Sequence, residues 1–289
     1  MNIIIKDKSH IGKVRTHNED AYLTLGREKS LPGISAVLLV ADGMGGHAAG
    51  DVASGMAKIK IHELFGKGSN VQHDETEFSS FLRQALQEVN RDVHDAARDP
   101  AKSGMGTTCT LAVIRDAKLF IAHVGDSRAY LLRDGKLCQI TIDHSWVEEQ
   151  VVKGSMTKET ARVHPNRNII TRAIGLEPEV EIDTYTIDLS VEDLVLLASD
   201  GLTSMVSDED VEEILNTHSL GNTCEALVKA ANDAGGHDNT TVVLAEVSSQ
   251  MRRKKPSQTR EMETQTVEIE VRPSVWKRLT NKVLRRRKD

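Results

Sequence analysis

Residues 108–132, TCTLAVIRDAKLFIAHVGDSRAYLL, indicate the fold class of this chain. They contain three runs of aliphatic and β-branched residues, which is typical of buried strands. The runs lie at 108–114, 119–124 and 129–132. Arg115–Lys118 separates the first two runs, and Asp134-Gly135 after the third is a strong hairpin signal. Strands joined by such short turns must be antiparallel, which argues against a doubly wound parallel sheet.

The rest of residues 1–248 adds further strands and four helices to this core. Aliphatic runs predict strands at 3–5, 36–40, 194–198 and 241–247. Helical periodicity predicts helices from about His47 to Phe65, from Asp74 through Val93, from Ser207 onward, and over 220–231 before Gly235-Gly236. The pattern predicts one α+β domain, a sandwich of sheets covered by helices.

The segment from about 141 to 176 differs from its surroundings. It is polar and charged, with a short helical stretch around Trp146–Lys153. A long irregular insertion in a compact domain is more often functional than accidental, so we interpret it as a flap beside a site.

Composition narrows the class of protein further. The chain has 289 residues, 39% of them apolar, and no run of 18 apolar residues or signal-peptide pattern is present. Three widely spaced cysteines, Cys109, Cys138 and Cys224, are typical of reduced thiols. We therefore expect a cytoplasmic protein.

The charge is unevenly distributed along the chain. Residues 250–289 hold 13 Lys and Arg against 5 Asp and Glu, so they carry +8 and the remainder carries −14. A nucleic-acid-binding domain should itself be basic, so we expect no nucleic-acid partner. An acidic body instead suits a protein that concentrates carboxylates around cations.

Five acidic motifs lie where the predicted strands begin or end. They are Arg15–Asp20, Ala41–Gly46, Val124–Arg128, Ala198–Gly201 and His237–Thr240. Each Asp alone is compatible with a simple turn, but strands that share one edge would bring the carboxylates together. Two carboxylates about 4 Å apart repel by roughly 4 kcal/mol at an effective dielectric of ~20, so such a cluster needs protons or a multivalent cation.

Oxygen ligands without paired His or Cys suit Mg²⁺ or Mn²⁺, and no EF-hand spacing is present. Two such ions about 3.5–4 Å apart would produce a bridging hydroxide and clamp a phosphoryl group for in-line displacement. Arg15 is a candidate bidentate phosphate donor, the alternative being a surface salt bridge. Cys109 and Arg115 have the Cys-x5-Arg spacing, but they lie in an apolar strand-like run and not in a phosphate-cradling loop, which argues against a cysteinyl phosphatase. No P-loop lysine is present, which argues against a nucleotide hydrolase.

The ordered motifs resemble the bacterial-type branch of the metal-dependent Ser/Thr protein phosphatases, type 2C (PPM). The similarity spans about residues 1–247. It comprises Arg15–Asp20, Asp42–His47, Gly106–Thr108, Val124–Arg128, Asp143–Ser145, Ile170–Gly175, Ser199–Leu202 and Asp238–Thr241. The resemblance implies a four-layer αββα sandwich and a phosphatase for phosphoserine and phosphothreonine that opposes a Ser/Thr kinase and acts as a monomer.

The resemblance also implies roles for individual residues. Asp42 would bridge two Mn²⁺ or Mg²⁺ ions, with the Gly43 carbonyl, Asp200 and Asp238 as further ligands. A third ion would use Asp126 and share Asp200. Glu19, Asp20 and Asn239 would support the ligands or their waters, and Arg15 would bind the phosphate.

Two questions stay open at this point. Met44 stands where the eukaryotic branch has a general-acid histidine, so His47 or a metal-bound water is the candidate acid, whereas His123 and His144 are expected to be structural. The other question is whether the chain is an inactive scaffold or phosphoprotein-binding regulator; the retention of Asp42, Asp200 and Asp238 favours an enzyme.

The remaining residues fall outside the resemblance. We predict a polar linker over 249–272 and a basic amphipathic tail over 273–289. Such a tail either lies on an anionic membrane, docks on an acidic partner or the enzyme's own body, or stays solvated.

Overall fold

The computed structural model describes residues 1–45, 49–66 and 75–249, with side chains from 77 in the last range. His47, Asp74 and the predicted linker and tail beyond 249 lie outside the described residues. None of the described helices is both long and apolar enough to cross a membrane.

The strands, in chain order, have the following bounds: β1 Asn2–His10, β2 Asp20–Gly26, β3 Ile34–Met44, β4 Gly106–Thr107, β5 Cys109–Arg115, β6 Lys118–Val124, β7 Arg128–Arg133, β8 Lys136–Gln139, β9 Asp183–Asp188, β10 Leu194–Ala198 and β11 Thr240–Ser248. The helices are α1 Gly50–Phe65, α2 Glu75–Ala96, α3 Trp146–Val152, α4 Lys158–Val163, α5 Asp200–Thr203, α6 Asp208–Thr217 and α7 Leu220–Asp233. A 3₁₀ turn covers Pro100–Lys102.

Two antiparallel sheets form the centre of the fold. The first has the strand order β1-β11-β10-β7-β8, and the second has the order β2-β3-β5-β6-β9 with β4 paired to the end of β3. All the pairings are antiparallel, as the short turns predict.

Three apolar cores separate four layers. One core lies between the two sheets and includes Leu38, Ile121 and Val243. A second joins the β2-β3-β5-β6-β9 sheet to α1 and α2, and a third joins the other sheet to α5, α6 and α7. The described residues therefore form the αββα sandwich with a flap insertion that the sequence indicates.

The hairpin turns explain why the sheets are antiparallel. Asp116 and Ala117 have φ of 50° and 61°, and Asp134 and Gly135 have φ of 51° and 78°. Two consecutive left-handed residues are the signature of a type I′ turn, whose twist matches that of the flanking strands.

The structure adds elements that the sequence patterns did not predict. Strands β2 and β9 are only partly buried and were missed, because they carry weak apolar alternation. The helix predicted from about His47 begins at Gly50 in the described residues, as α1. Within the flap, α3 is close to the predicted helical stretch, whereas α4 was not predicted.

The flap is attached to the body by a narrow neck. Ser145 and Ile170 form a bridge there, and the Trp146 amide donates to the Ile169 carbonyl at 2.8 Å. Both ends of the insertion therefore leave the sandwich at the same place.

Candidate metal centre and active site

The five acidic motifs lie at one edge of the sandwich. Asp20 begins β2 and stands directly opposite Asp42 near the end of β3. Asp126 lies in the turn between β6 and β7, Asp200 follows β10, and Asp238 precedes β11. Antiparallel pairing brings these strand ends together because alternate strands start and finish at the same edge.

Hydroxyl groups from β4 and its continuation hold the backbone of Asp42. The Thr107 hydroxyl and the Thr108 amide donate to the Asp42 carbonyl at 2.9 and 2.8 Å, and the Asp42 amide donates to Thr108 Oγ1 at 2.9 Å. Thr108 Oγ1 also lies 2.7 Å from Ser127 Oγ. The Asp42 and Asp126 loops are therefore joined through a buried pair of hydroxyls.

Gly43 lies where three backbone segments meet. A Cβ at this position would stand 2.1 Å from the Gly50 carbonyl oxygen and 2.6 Å from the Glu19 carbonyl oxygen. Glycine is required because the backbone must approach this closely. The contact positions the start of α1 and the Glu19 segment against the end of β3.

Asn239 ties the N-terminal loop to the start of β11. Its Oδ1 accepts from the Glu19 amide at 2.8 Å, and its Nδ2 donates to the carbonyls of Ile11 and His17, each at 2.9 Å. This buried amide therefore holds the Glu19 backbone in place.

Arg15 is brought to the same edge by this loop. Its Nη2 donates to Asp238 Oδ2 at 2.7 Å, and its side chain is 48% exposed. The predicted phosphate donor and one predicted ligand are thus direct partners, and the outer part of the guanidinium faces solvent.

The Asp126 loop is held by the flap base. The Gly125 amide donates to His144 Nδ1 at 3.0 Å, and the His144 amide donates to the Gly125 carbonyl at 2.7 Å. His144 Nε2 lies 3.2 Å from Asp183 Oδ2 at the start of β9, which fixes the ring with its proton on Nε2. His144 is structural, and His123 likewise bonds Thr110 and the Ile142 carbonyl.

Burial and mutual repulsion raise the pKa of the carboxyl groups in this cluster. Burial first, and then the charges of Asp20, Asp200, Asp126 and Asp238, raise the pKa of Asp42 well above its usual range. Burial and the Asp238 charge raise the pKa of Asp200 to about 6, although a hydrogen bond with Asp42 acts in the opposite direction.

Asp20 and Asp126 share this environment. Burial is the largest cause that raises the pKa of Asp20 to about 7, with the charges of Asp200 and Asp238 adding to it. Burial, Asp200 and Asp143 raise the pKa of Asp126 well above its usual range. All four carboxylates favour protonation or a nearby cation.

The donor set fits a hard divalent cation. Asp20 Oδ1, Asp126 Oδ1 and Asp200 Oδ1 are buried oxygens without a hydrogen-bond partner in the described part of the chain. Within that part, no three His, Cys, Asp or Glu side chains already enclose one ion position. Buried carboxylate oxygens are the ligands that Mg²⁺ and Mn²⁺ prefer.

Comparison with known proteins identifies the family to which this chain belongs. The family model "Protein phosphatase 2C" matches residues 7–240. The chain belongs to the protein phosphatase 2C family.

Relatives of this phosphatase 2C chain agree with the match. It is 41% identical over 237 residues to the serine/threonine phosphatase stp of Listeria monocytogenes, covering 81% of this chain and 92% of the relative. A serine/threonine phosphatase structure from S. agalactiae superposes with a TM-score of 0.79 at 33% identity, and the match covers 85% of this chain and 100% of that chain. A structure of the PstP catalytic domain in complex with two manganese ions gives a TM-score of 0.75 at 35% identity, covering 86% and 99%.

This phosphatase 2C chain is therefore a metal-dependent serine/threonine protein phosphatase that acts on phosphorylated proteins. Sequence reasoning named the carboxylates at its centre but missed the groups that hold them. Thr108, Ser127 and Ser199 lie within motifs that carry the resemblance, but no pattern in the sequence indicates their contacts, such as the Ser199 hydroxyl donating to Asp20 Oδ2 at 2.8 Å. Their roles depend on which strand ends meet in three dimensions.

Proposed function

We propose that this enzyme hydrolyses phosphoserine and phosphothreonine at a two-ion centre of Mn²⁺ or Mg²⁺. Asp42, the Gly43 carbonyl, Asp200 and Asp238 would hold the ions, which supply Lewis acidity and a water acidified to near-neutral pKa. The observation that carries the proposal is that the buried Asp42 and Asp200 carboxyl groups lie close enough for the charge of Asp200 to raise the pKa of Asp42, while Asp200 keeps a buried oxygen without a hydrogen-bond partner in the described residues. Two such carboxyl groups are costly to bury unless a cation compensates them.

Residues behind the ligands orient them. Asp20, held by the Ser199 hydroxyl, lies opposite Asp42 in the β2–β3 ladder, and Asn239 fixes the Glu19 backbone. We assign Glu19, Asp20 and Asn239 to positioning rather than to direct contact with the phosphoryl group.

Arg15 is assigned to phosphate binding. Its bond to Asp238 holds one Nη at the centre, while the exposed side of its guanidinium can donate to phosphate oxygens. A bidentate donor placed this way orients the phosphoryl group and offsets its charge.

We further assign Asp126 and Asp200 to a third, weaker ion. The support is that both side chains keep a buried oxygen without a partner in the described residues, and that the charge of Asp200 raises the pKa of Asp126. Asp126→Ala should lower turnover and spare binding of the first two ions; loss of those ions would contradict this assignment.

The general acid and the setting of the enzyme are separate proposals. His47 stays a candidate proton donor, to be tested by whether His47→Gln removes the basic limb of the pH–rate profile, with water as the alternative donor. Three free cysteines support a reducing, cytoplasmic setting. We also propose that the enzyme opposes a cognate Ser/Thr kinase and acts as a monomer. Deleting residues 250–289 should leave hydrolysis of a small substrate unchanged while altering partner or membrane association.

The deciding experiment compares Asp42→Asn and Asp200→Asn with wild type. We expect at least a thousandfold loss of Mn²⁺-dependent hydrolysis of p-nitrophenyl phosphate, about 4 kcal/mol of transition-state stabilisation. Isothermal titration calorimetry should show weakened Mn²⁺ binding in both variants. Unfolding without metal should show equal or greater stability, because one repelling charge is removed; intact turnover in either variant would refute the ligand assignment.

A further inference from the structure

Asp183 lies beside the Asp126 loop but belongs to none of the motifs that carry the family resemblance. It is the first residue of β9, a strand that the sequence patterns did not predict. In the pairing of β6 with β9 it stands directly opposite His123, from which the chain runs through Val124 into Gly125 and Asp126. The fold therefore places a carboxylate from a distant part of the sequence next to a proposed ligand.

Donors from both ends of the flap bind the two oxygens of Asp183. Its Oδ2 lies 3.2 Å from His144 Nε2, and its Oδ1 accepts from Arg172 Nη1 at 3.3 Å. Burial raises the pKa of Asp183, but the hydrogen bond from His144 leads the causes that oppose it, and the pKa falls to about 2. The group is therefore an ionised carboxylate at neutral pH, which can only accept hydrogen bonds.

The His144 ring passes this constraint on to the backbone of Gly125. Because Asp183 accepts from Nε2, the other ring nitrogen, Nδ1, carries a lone pair and accepts from the Gly125 amide at 3.0 Å. The His144 amide also donates to the Gly125 carbonyl at 2.7 Å. In the opposite tautomer a proton on Nδ1 would face the Gly125 N–H, and the first of these bonds would be lost.

Gly125 has no side chain with which to fix its own backbone. Its φ is +112°, and a Cβ there would lie 2.5 Å from Thr108 Cβ, so only glycine fits. The far side of the loop is held by the contact between Thr108 and Ser127. Asp126 lies between these two anchors with a buried Oδ1 that has no partner in the described residues. The direction of its carboxylate therefore depends on how firmly His144 holds Gly125.

We propose that Asp183 is a positioning residue, which fixes the His144 tautomer and so holds the Asp126 loop in the conformation that binds the weaker ion. Neither Asp183 nor His144 needs to touch the ion or the phosphoryl group. The part of the inference that concerns the ion rests on the proposed role of Asp126, whereas the part that concerns the loop does not. Replacing residues that support ligands in this way commonly changes metal affinity or activity by roughly 10–100-fold.

The first test uses the full-length enzyme without metal and the variant D183A. In ¹⁵N-histidine NMR spectra, we expect wild-type His144 to carry its proton on Nε2 and D183A to shift toward the tautomer protonated on Nδ1. Exchange of the Gly125 amide should accelerate about fivefold in D183A, as the loss of one hydrogen bond would give. The matched control is D188A, which removes an exposed carboxylate paired with Lys118 at the other end of β9 and should change neither signal.

The variant H144N separates positioning from a general loosening of β9. The Asn Oδ1 can take the place of Nδ1 as the acceptor for the Gly125 amide, and it has no tautomer for Asp183 to fix. D183A should therefore cause no further acceleration of Gly125 exchange in the H144N background. Equal acceleration in both backgrounds would overturn the proposal, because Asp183 would then act only through the stability of the strand.

The second test adds Mn²⁺ to the same variants. By isothermal titration calorimetry, D183A should weaken the weaker phase of Mn²⁺ binding by about tenfold or more and spare the first two ions. The kcat for p-nitrophenyl phosphate should fall at low Mn²⁺ and recover at high Mn²⁺, with KM unchanged.

The two ways to fail are distinguishable. An unaltered His144 tautomer and Gly125 exchange in D183A would refute the positioning role itself, as would unchanged Mn²⁺ binding in D183A when D126A weakens it. If D126A left the weaker phase of Mn²⁺ binding intact, the proposed ion site would be wrong, whereas the metal-free measurements would still decide whether Asp183 positions the loop.

Discussion

The two sides of the catalytic cleft are built in different ways. On the body side, Asp42 lies near the end of β3, whose residues 36–41 are fully buried, and the Asp42 backbone is hydrogen-bonded to Thr107 and Thr108. On the flap side, α3 and α4 have only seven and six residues, and Val163 and Ile169 are 77% and 48% exposed. The acidic cluster therefore rests on a tightly packed edge, whereas the insertion beside it is lightly packed.

Replacing one glycine on each side with alanine tests this contrast most strongly. At Gly201 on the body side, the new Cβ would lie 2.0 Å from the Asn239 carbonyl oxygen. We expect a loss of at least ~3 kcal/mol in the free energy of unfolding, since backbone must move to admit the methyl group, together with loss of activity. Urea unfolding and p-nitrophenyl phosphate hydrolysis provide the two measurements.

Gly154 in the flap is the partner of this experiment. Its φ is +72° and nothing lies within 4 Å of the new Cβ, so alanine costs only the left-handed conformation, about 1–2 kcal/mol. The effect should stay within the flap and leave small-substrate hydrolysis intact. Similar global losses for both variants would show that the two sides are one cooperative unit.

The sandwich could be predicted because its signals are local. The Asp134-Gly135 turn and the 119–124 run each specify structure within a few residues, and the paired strands agree with them. Strand β9 could not be predicted, because Asp183–Asp188 alternates only weakly and is a strand through its pairing with β6. Helix α4 has only six residues, too few for an apolar period to show in the sequence.

The acidic centre was predictable for a different reason. Carboxylates next to glycine at strand ends are visible in the sequence, and the structure brings Asp42 and Asp200 close enough for the charge of Asp200 to raise the pKa of Asp42. The supporting contacts were not predictable: Thr108 and Ser127 are 19 residues apart in sequence and meet only because β5 and β6 pair. Such contacts decide the geometry that the ligands need.

Asn239→Asp tests how far the rigidity of the body side depends on one buried amide. The aspartate keeps the acceptor for Glu19 but loses both donations, so the Ile11 and His17 carbonyls would face a carboxylate. We expect a loss of roughly 2–3 kcal/mol in unfolding free energy and a raised requirement for Mn²⁺. Asn222→Asp, on the exposed start of α7, is the control; equal effects would mean that Asn239 has no special role.

His123 lies where the two sides meet, with its ring centroid 4.8 Å from that of His144. Burial first, and then the charge of His144, lower the pKa of His123 to about 3. The unfolded chain therefore takes up the proton near pH 6.5 and the folded chain does not, so stability is full above pH 6.5 and falls as the pH drops toward 3. We expect a loss of about 2 kcal/mol by pH 5 from this group.

The measurement is urea unfolding of wild type and His123→Gln at pH 7.5 and pH 5. The fall between the two pH values should be about 2 kcal/mol smaller in the variant than in wild type. His62→Gln, on the exposed face of α1, should leave the fall unchanged. An identical fall in wild type and His123→Gln would show that the ring is accessible to protons in the folded protein.

The smallest effect is expected at the start of the second flap helix. Thr157 caps α4, and its Oγ1 accepts from the Thr160 amide at 3.3 Å. Thr157→Ala should cost about 1 kcal/mol, whereas Thr157→Ser keeps the acceptor and should cost little. Because α4 contains none of the proposed ligands, the alanine variant should leave p-nitrophenyl phosphate hydrolysis unchanged.

The location of that cost distinguishes the two sides of the cleft. If the flap opens by itself, amide hydrogen exchange in residues 157–163 should accelerate by about fivefold, which corresponds to 1 kcal/mol, while exchange in β3 and β10 stays the same. Global unfolding in urea would then be unchanged, since the flap has already opened before the sandwich unfolds. A full loss of 1 kcal/mol in global stability would mean instead that the flap unfolds together with the strand edge that holds Asp42 and Asp200. The flap and the acidic cluster would then belong to one cooperative unit.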